Sequence, residues 1–240
     1  MPPHLLSCLP AGQDGRATAS KSNRIHVMGK FITFEGIEGS GKTTQIRAMG
    51  DFLRRRHISF LVTEEPGGTP LGRKIRKILL NRGTFELSDK AELLLFSAAR
   101  AQHVKDIIVP ALKEGKVILC DRFSDATIAY QGFGRGFSLD FIRLLNEFST
   151  NGIRPDLTIV LDLPVKIGVK RAMERIFQKK EEEPEDRFER EHLSFHEKIR
   201  KGYLSLAKHA PERFRIIDAL KDIETVQKEV QFHVMEFIKG

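Results

Sequence analysis

Gly36-Ile37-Glu38-Gly39-Ser40-Gly41-Lys42-Thr43 is the stretch on which the reading of this chain turns. It fits the pattern G-x-x-x-x-G-K-[ST], a loop that wraps its backbone N–H groups around phosphates. Its flanks agree: Phe31-Ile32-Thr33-Phe34 reads as a buried strand leading in, and Thr43 to Arg56 reads as a helix leading out. Glycines let the backbone curl close to a phosphate, the helix N-terminus adds positive potential, and Lys42 supplies a mobile charge. Thr43 is placed to offer its hydroxyl to Mg²⁺. The pattern points to a nucleoside triphosphate and leaves the reaction to the rest of the chain.

Working outward, strand-like and helix-like stretches alternate from Lys30 onward. Strands are expected at 31–35, 59–63, 116–121, 157–162 and 214–217. Helices are expected at 42–57, 71–81, 88–113, 138–150, 164–177, 190–209 and 222–238. Val117-Ile118-Leu119-Cys120 and Leu157-Thr158-Ile159-Val160-Leu161 are almost continuously apolar, which fits strands covered on both faces. The expected fold is therefore α/β: a parallel five-stranded sheet of the P-loop NTPase type sandwiched between helices. Ligands in such sheets gather beyond the carboxyl ends of the strands, where the 36–43 loop, Asp121-Arg122 and Asp162 fall.

The 240 residues suit one domain, at 29–240, preceded by an extension. Residues 1–28 are rich in Pro, Ser, Ala and Gly without periodicity, so a disordered N-terminal segment is expected. Met28 directly precedes the first strand and is preferred as an alternative start over a targeting role for that segment. No apolar run approaches the roughly 20 residues that a membrane span needs. The net charge is +8, but the bases are scattered among acids, which argues for solvated surface and against nucleic acid as a partner. Two cysteines, Cys8 and Cys120, build no disulfide framework, and a cytoplasmic location is expected. Lys179-Lys180-Glu181-Glu182-Glu183-Pro184-Glu185-Asp186 is too charged for a core and reads as either a surface loop or a mobile flap.

The second substrate is read from four further segments. Asp121-Arg122-Phe123 follows a buried strand, and an arginine there can fork onto a second phosphate or close the sheet edge through a salt bridge. Downstream runs Asp125-Ala126-Thr127-Ile128-Ala129-Tyr130-Gln131-Gly132-Phe133-Gly134-Arg135-Gly136; upstream lie Glu65-Pro66-Gly67-Gly68-Thr69-Pro70-Leu71-Gly72 and Leu94-Leu95-Phe96-Ser97-Ala98-Ala99-Arg100. In this order the segments resemble the thymidylate kinase family, from residue 29 to about 235. The resemblance implies ATP-dependent phosphorylation of dTMP to dTDP with Mg²⁺. It implies that Gly36, Ile37, Glu38, Gly39, Ser40, Gly41, Lys42, Thr43 and Thr44 hold the ATP phosphates, and that Thr43 and Asp121 serve the metal. It assigns Glu38 to the dTMP 3′-hydroxyl, Arg122 to the dTMP phosphate, Phe96 to stacking on thymine and Arg100 to thymine O4. Phe96 and Arg100, four apart, share a helix face. Thr127 would face base N3, and Tyr130, with Gln131 beside it, would crowd the 2′ position.

Phosphoryl transfer also needs a cation at the group in flight. Positions 37–40 of the loop carry no arginine. By resemblance, that cation is expected from a small mobile lid at about 171–190, with Arg175, Lys179 and Lys180 as candidates and Arg175 preferred as the catalytic partner of Lys42 and Arg122. Two departures from the family pattern stand out. Glu64 occupies a position where relatives commonly have arginine, and Arg73 stands where many have an acid; whether the two are an exchanged pair is left open by the sequence. Ala126 replaces a common serine. The resemblance further implies a homodimer formed through the helices around 88–113 and 138–150.

Overall fold

The computed structural model describes residues 29–80, 86–179 and 187–239. The expected N-terminal extension, and residues 180–186 of the expected lid, lie outside the described residues. Five strands form one all-parallel sheet: β1 (Lys30–Glu35), β2 (Phe60–Glu64), β3 (Val117–Asp121), β4 (Leu157–Asp162) and β5 (Phe214–Asp218), in the order β2-β3-β1-β4-β5. The expected sheet is therefore found, with each strand within a residue of its expected bounds. The two apolar runs that read as doubly covered, β3 and β4, flank β1 at the centre of the sheet, and almost every residue of these three strands is buried. The half-exposed β2 and β5 are the edges.

Side-chain alternation splits the core between the two faces. Ile32, Phe34, Leu119 and Ile159 pack with Ile46, Met49 and Leu53 of α1 (Lys42–Arg55) and with Val226, Val230 and Val234 of α9 (Ile223–Lys239). Phe31, Ile118 and Cys120 point the other way, against Val104, Ile108, Ala111 and Leu112.

The remaining helices are α2 (Pro70–Leu80), α3 (Asp89–His103), α4 (Val109–Lys113), α5 (Ser124–Thr127), α6 (Leu139–Thr150), α7 (Val165–Lys179) and α8 (Leu193–His209). The single helix expected at 88–113 is divided by a wide π-turned segment at Val104–Ile108. Pro110 follows at once; it lacks an N–H, and its ring crowds the carbonyl four residues back, so the helix widens to admit it. A helical segment that the sequence reading did not assign covers α5 and continues in wide turns through Ile128–Gly134. Its glycines serve close packing. A Cβ on Gly132 would stand 2.6 Å from Leu139 Cδ2, and one on Gly134 would stand 2.7 Å from the Phe195 ring. The chain from 187 to 190 turns before α8 begins, later than expected. No helix among the described residues is long and apolar enough to cross a membrane.

Candidate active site

The carboxyl ends of β1 and β3, together with α1, α3, α5 and α7, enclose a cavity of about 780 Å³, in the upper part of the range of roughly 300–1,000 Å³ typical of ligand sites. The loop at its floor is shaped by left-handed glycines. Gly36 has φ 135° and Gly39 φ 71°, and a Cβ at Gly39 would lie 2.1 Å from the Gly168 carbonyl, so no larger residue fits. Gly41 caps α1 without any side-chain hydrogen bond, leaving the amides of the first turn to an anion. The Nζ of Lys42 donates to the carbonyls of Gly36 (3.1 Å) and Ile37 (2.9 Å). Burial and the Arg122 charge pull its ammonium down to about 8, against the upward pull of Asp121, Glu38 and Glu35. Thr43 donates to Asp121 Oδ2 over 3.2 Å. Two hard oxygens beside a phosphate loop suit Mg²⁺, which takes few protein ligands and fills the rest of its shell with phosphate and water. Gly39, Gly41, Lys42, Thr43, Thr44 and Asp121 line the cavity, whereas Ile37 and Ser40 lie buried behind it.

Arg122 leaves β3 in a left-handed conformation (φ 65°), unusual for a residue with a Cβ. That turn sends its guanidinium back over the loop. Nη1 donates to the Gly36 carbonyl at 2.9 Å and to Tyr203 at 3.1 Å, and Nη2 donates to Glu38 Oε1 at 3.1 Å. Its charge lies over the Tyr130 ring, 4.8 Å from the centroid. Burial opposes that charge, but Tyr130, Tyr203, Glu38 and Glu35 hold the guanidinium well above its ordinary range. Glu38 also accepts from Tyr130 Oη and His196 Nδ1. Burial alone would raise its carboxyl; His196, Arg122 and Lys42 outweigh burial and leave it far below the usual carboxylate range.

Glu35, His196 and Tyr203 were not singled out in the sequence. Glu35 ends β1 and accepts from the Phe123 amide (2.8 Å) and from Tyr203 Oη (2.7 Å). Burial pushes its carboxyl up to about 7, helped by Asp125 and opposed by Arg122 and Tyr203. Two carboxylates beside one arginine are thus driven in opposite directions by their surroundings. With a folded value above the unfolded one, Glu35 contributes most to stability below about pH 4.5. That contribution falls as pH rises and is lost above about pH 7. Glu35→Gln keeps the shape without the proton. Its unfolding free energy should match the wild type near pH 4.5 and exceed it above pH 7 by on the order of 3 kcal/mol. Denaturant unfolding across that range checks this; parallel pH curves for the two proteins would refute it.

Phe96, Arg100, Thr127, Tyr130 and Gln131 all line the cavity, so the residues named from the resemblance do converge. Phe96 is half-buried, its ring 6.2 Å from that of Phe188. Arg100 is far more committed than a free base reader. Nε donates to Glu65, Nη1 to Thr127 and Asn146, and Nη2 to the Phe123 carbonyl, which leaves one N–H on Nη2. Glu65 in turn accepts from His103 Nδ1 at 2.8 Å, and His103 Nε2 is paired with Thr63 Oγ1 at 2.7 Å. Gln131 donates to the wholly buried Glu92, which also binds Arg135 and Arg187.

The structure does not bring Glu64 and Arg73 together at the cavity. Arg73 is exposed and does not line the cavity. The partner of Glu64 is Arg76, at 3.2 Å, and both of these side chains do line it. Arg73 and Arg76 stand three apart on α2, and Gly72, Ile75 and Leu79 set the buried stripe that turns Arg76 inward. At the lid side, Arg175, Ile176, Phe188 and Glu189 line the cavity, with Arg175 Nη2 3.6 Å from Glu189 Oε1. Burial and the nearby Glu38 raise the Glu189 carboxyl. Lys180 and the side chain of Lys179 lie outside the described residues.

The parallel sheet, the phosphate loop and a second set of cations in the same cavity define a P-loop nucleotide kinase. A family model described as thymidylate kinase matches residues 34–230. The chain belongs to the thymidylate kinase family. It is 56% identical to the thymidylate kinase of Syntrophus aciditrophicus over 207 residues, 86% of this chain and 94% of that protein. With the thymidylate kinase of Geotalea daltonii it shares 48% identity over 213 residues, 89% of this chain and all of the relative. The crystal structure of thymidylate kinase from Ehrlichia chaffeensis superposes with a TM-score of 0.66 at 33% identity, covering 87% of this chain and 98% of that one.

Proposed function

We propose that the chain transfers the γ-phosphoryl group of ATP to the 5′-phosphate of dTMP, giving dTDP and ADP, through the residues placed above. One observation carries the assignment of roles: the Gly36 carbonyl accepts from both Lys42 Nζ, at 3.1 Å, and Arg122 Nη1, at 2.9 Å. The cation of the phosphate loop and the arginine after β3 therefore meet at one atom, where donor and acceptor phosphates must meet for in-line transfer. The acceptor oxygen is already ionised and needs no general base. The loop amides and Lys42 hold the donor phosphates, and Arg122 holds the acceptor phosphate. Arg175 closes with the lid on the group in flight, excluding water. Thr43 and Asp121 would hold Mg²⁺, which when bound would neutralise charge on the donor phosphates. Phe96 stacks on the base, the remaining Arg100 N–H reaches its edge, and Thr127 with Gln131 completes that edge. Tyr130 and Glu38 bound the sugar. Arg76, paired with Glu64, adds charge at the acceptor end.

ADP release from ATP·Mg²⁺ with dTMP, dUMP, CMP, AMP, GMP and thymidine tests the proposal. Preference for dTMP is expected; higher turnover of CMP or AMP would overturn the base assignment. Strongly salt-dependent DNA binding without kinase activity would instead favour a regulatory P-loop protein.

The enzyme acts in the cytoplasm, consistent with the buried free thiol of Cys120, and as a homodimer. What supports the dimer is an apolar face left open on α6, where Phe141, Leu144 and Phe148 are 50%, 68% and 83% exposed beside Leu94 of α3 at 57%. A second copy would cover it across a two-fold axis. Phe148→Glu should shift the protein to monomer at micromolar concentration in sedimentation velocity. A wild type that sediments as a monomer, or a variant that stays dimeric, would refute this interface.

A further inference from the structure

Glu38 is gripped from three elements. Its Oε1 accepts from Tyr130 and from Arg122, and its Oε2 accepts from His196 Nδ1 at 3.1 Å. An ionised carboxylate offers about four acceptor positions, so one on Oε2 remains, and Glu38 lines the cavity. His196 does not line it. It sits on α8 with no exposed surface, its ring edge-on to Phe195 with centroids 5.8 Å apart. Its Nε2 is buried without a hydrogen-bond partner. An apolar side chain of similar size would avoid that unpaired nitrogen, so packing alone gives no reason for histidine here. What histidine adds is the Nδ1–H. Glu38 cannot supply a proton to this contact while ionised, so Nδ1 is the donor.

We propose that His196 is a positioning residue for acceptor recognition: its Nδ1–H fixes the Glu38 carboxylate so that the free position on Oε2 meets the 3′-hydroxyl of the acceptor sugar. This rests on the assignment of Glu38 to that sugar under Proposed function. Arg122 and Tyr130 hold only Oε1, and without His196 the carboxylate turns about its own axis and loses the aim of Oε2. Specificity for acceptors that carry a 3′-hydroxyl is then set partly by a side chain that touches no substrate.

The test compares kcat/KM for dTMP and for 3′-deoxythymidine monophosphate in the wild type, His196→Leu, His196→Asn and Glu38→Gln. His196→Leu should lower the dTMP value about tenfold, mainly through KM, and change the 3′-deoxy value less than about twofold, the loss expected for one hydrogen bond to a charged group. His196→Asn places an amide N–H near the position of Nδ1 and should recover most of the dTMP value. Equal losses on both acceptors in His196→Leu, with Glu38→Gln lowering the dTMP value far more than the 3′-deoxy value, would make His196 a packing residue and overturn the proposal while leaving the Glu38 assignment standing. A Glu38→Gln variant that loses both acceptors equally would remove the assignment and the proposal with it. If His196→Leu does not fold, His196→Gln replaces it, because its amide extends past Nδ1; identical acceptor profiles for the Asn and Gln variants would be equally fatal.

Discussion

Arg122→Ala should lower kcat/KM for dTMP by about 10³-fold, the scale of losing one preorganised cation from a phosphoryl-transfer site. Three features of the position argue for so large an effect. The guanidinium is held at 2.9 Å from Gly36 and 3.1 Å from Glu38, so it needs no reorganisation when an anion arrives. It sits largely out of water, where a charge interaction is less screened. It is also the counter-charge that restrains both Glu35 and Glu38, so its removal adds negative potential where the acceptor phosphate must bind. Arg122→Lys keeps the charge but not the fork and should recover part of the loss. Steady-state kinetics on folded variants decide the matter. A loss below tenfold for Arg122→Ala would mean that the acceptor phosphate is held elsewhere, with Arg76 the first residue to examine.

The difference between what was legible and what was not follows sequence distance. The sheet could be read because each strand is a local apolar run, and the three most continuous runs are the three central strands. The loop at 36–43 could be read because a phosphate cradle is built from consecutive residues. Glu35 sits one residue before that loop and escaped notice, since nothing local says that a carboxylate will be buried against Tyr203, 168 residues away. His196 and Tyr203 lie on the inner face of an ordinary amphipathic helix, where sequence pattern marks burial but not chemistry. The choice between Arg73 and Arg76 required the rotation of α2 about its axis, which Leu79 and Ile75 fix only once packed against Ala99 of α3. The resemblance supplied Phe96, Arg100 and Thr127 together. It did not foresee that Arg100 would be committed to Glu65, Asn146 and Phe123, which makes it a strut of the pocket besides its proposed part at the base.

Arg175→Ala should lower kcat by about 10²-fold and leave the KM for dTMP within about threefold, because a cation that acts only on the group in flight contributes little to ground-state binding. The geometry separates these two quantities. Arg175 lies on α7, lines the same cavity as Arg122 and is paired there with Glu189. Its side chain is 54% exposed and its link to Glu189 is 3.6 Å long, a weak tether that an incoming phosphate can displace. Glu189 is itself disfavoured as an anion by burial and by Glu38, so it competes poorly with a polyphosphate for the guanidinium. Arg175→Lys should recover some of the turnover, since a point charge still reaches the site without the fork. Equal losses in kcat and in affinity for dTMP would mean that Arg175 holds the cavity wall through Glu189 and does not act on the transferred group. An unchanged kcat would pass the role to a neighbouring base, with Arg47 of α1, which also lines the cavity, to be replaced next.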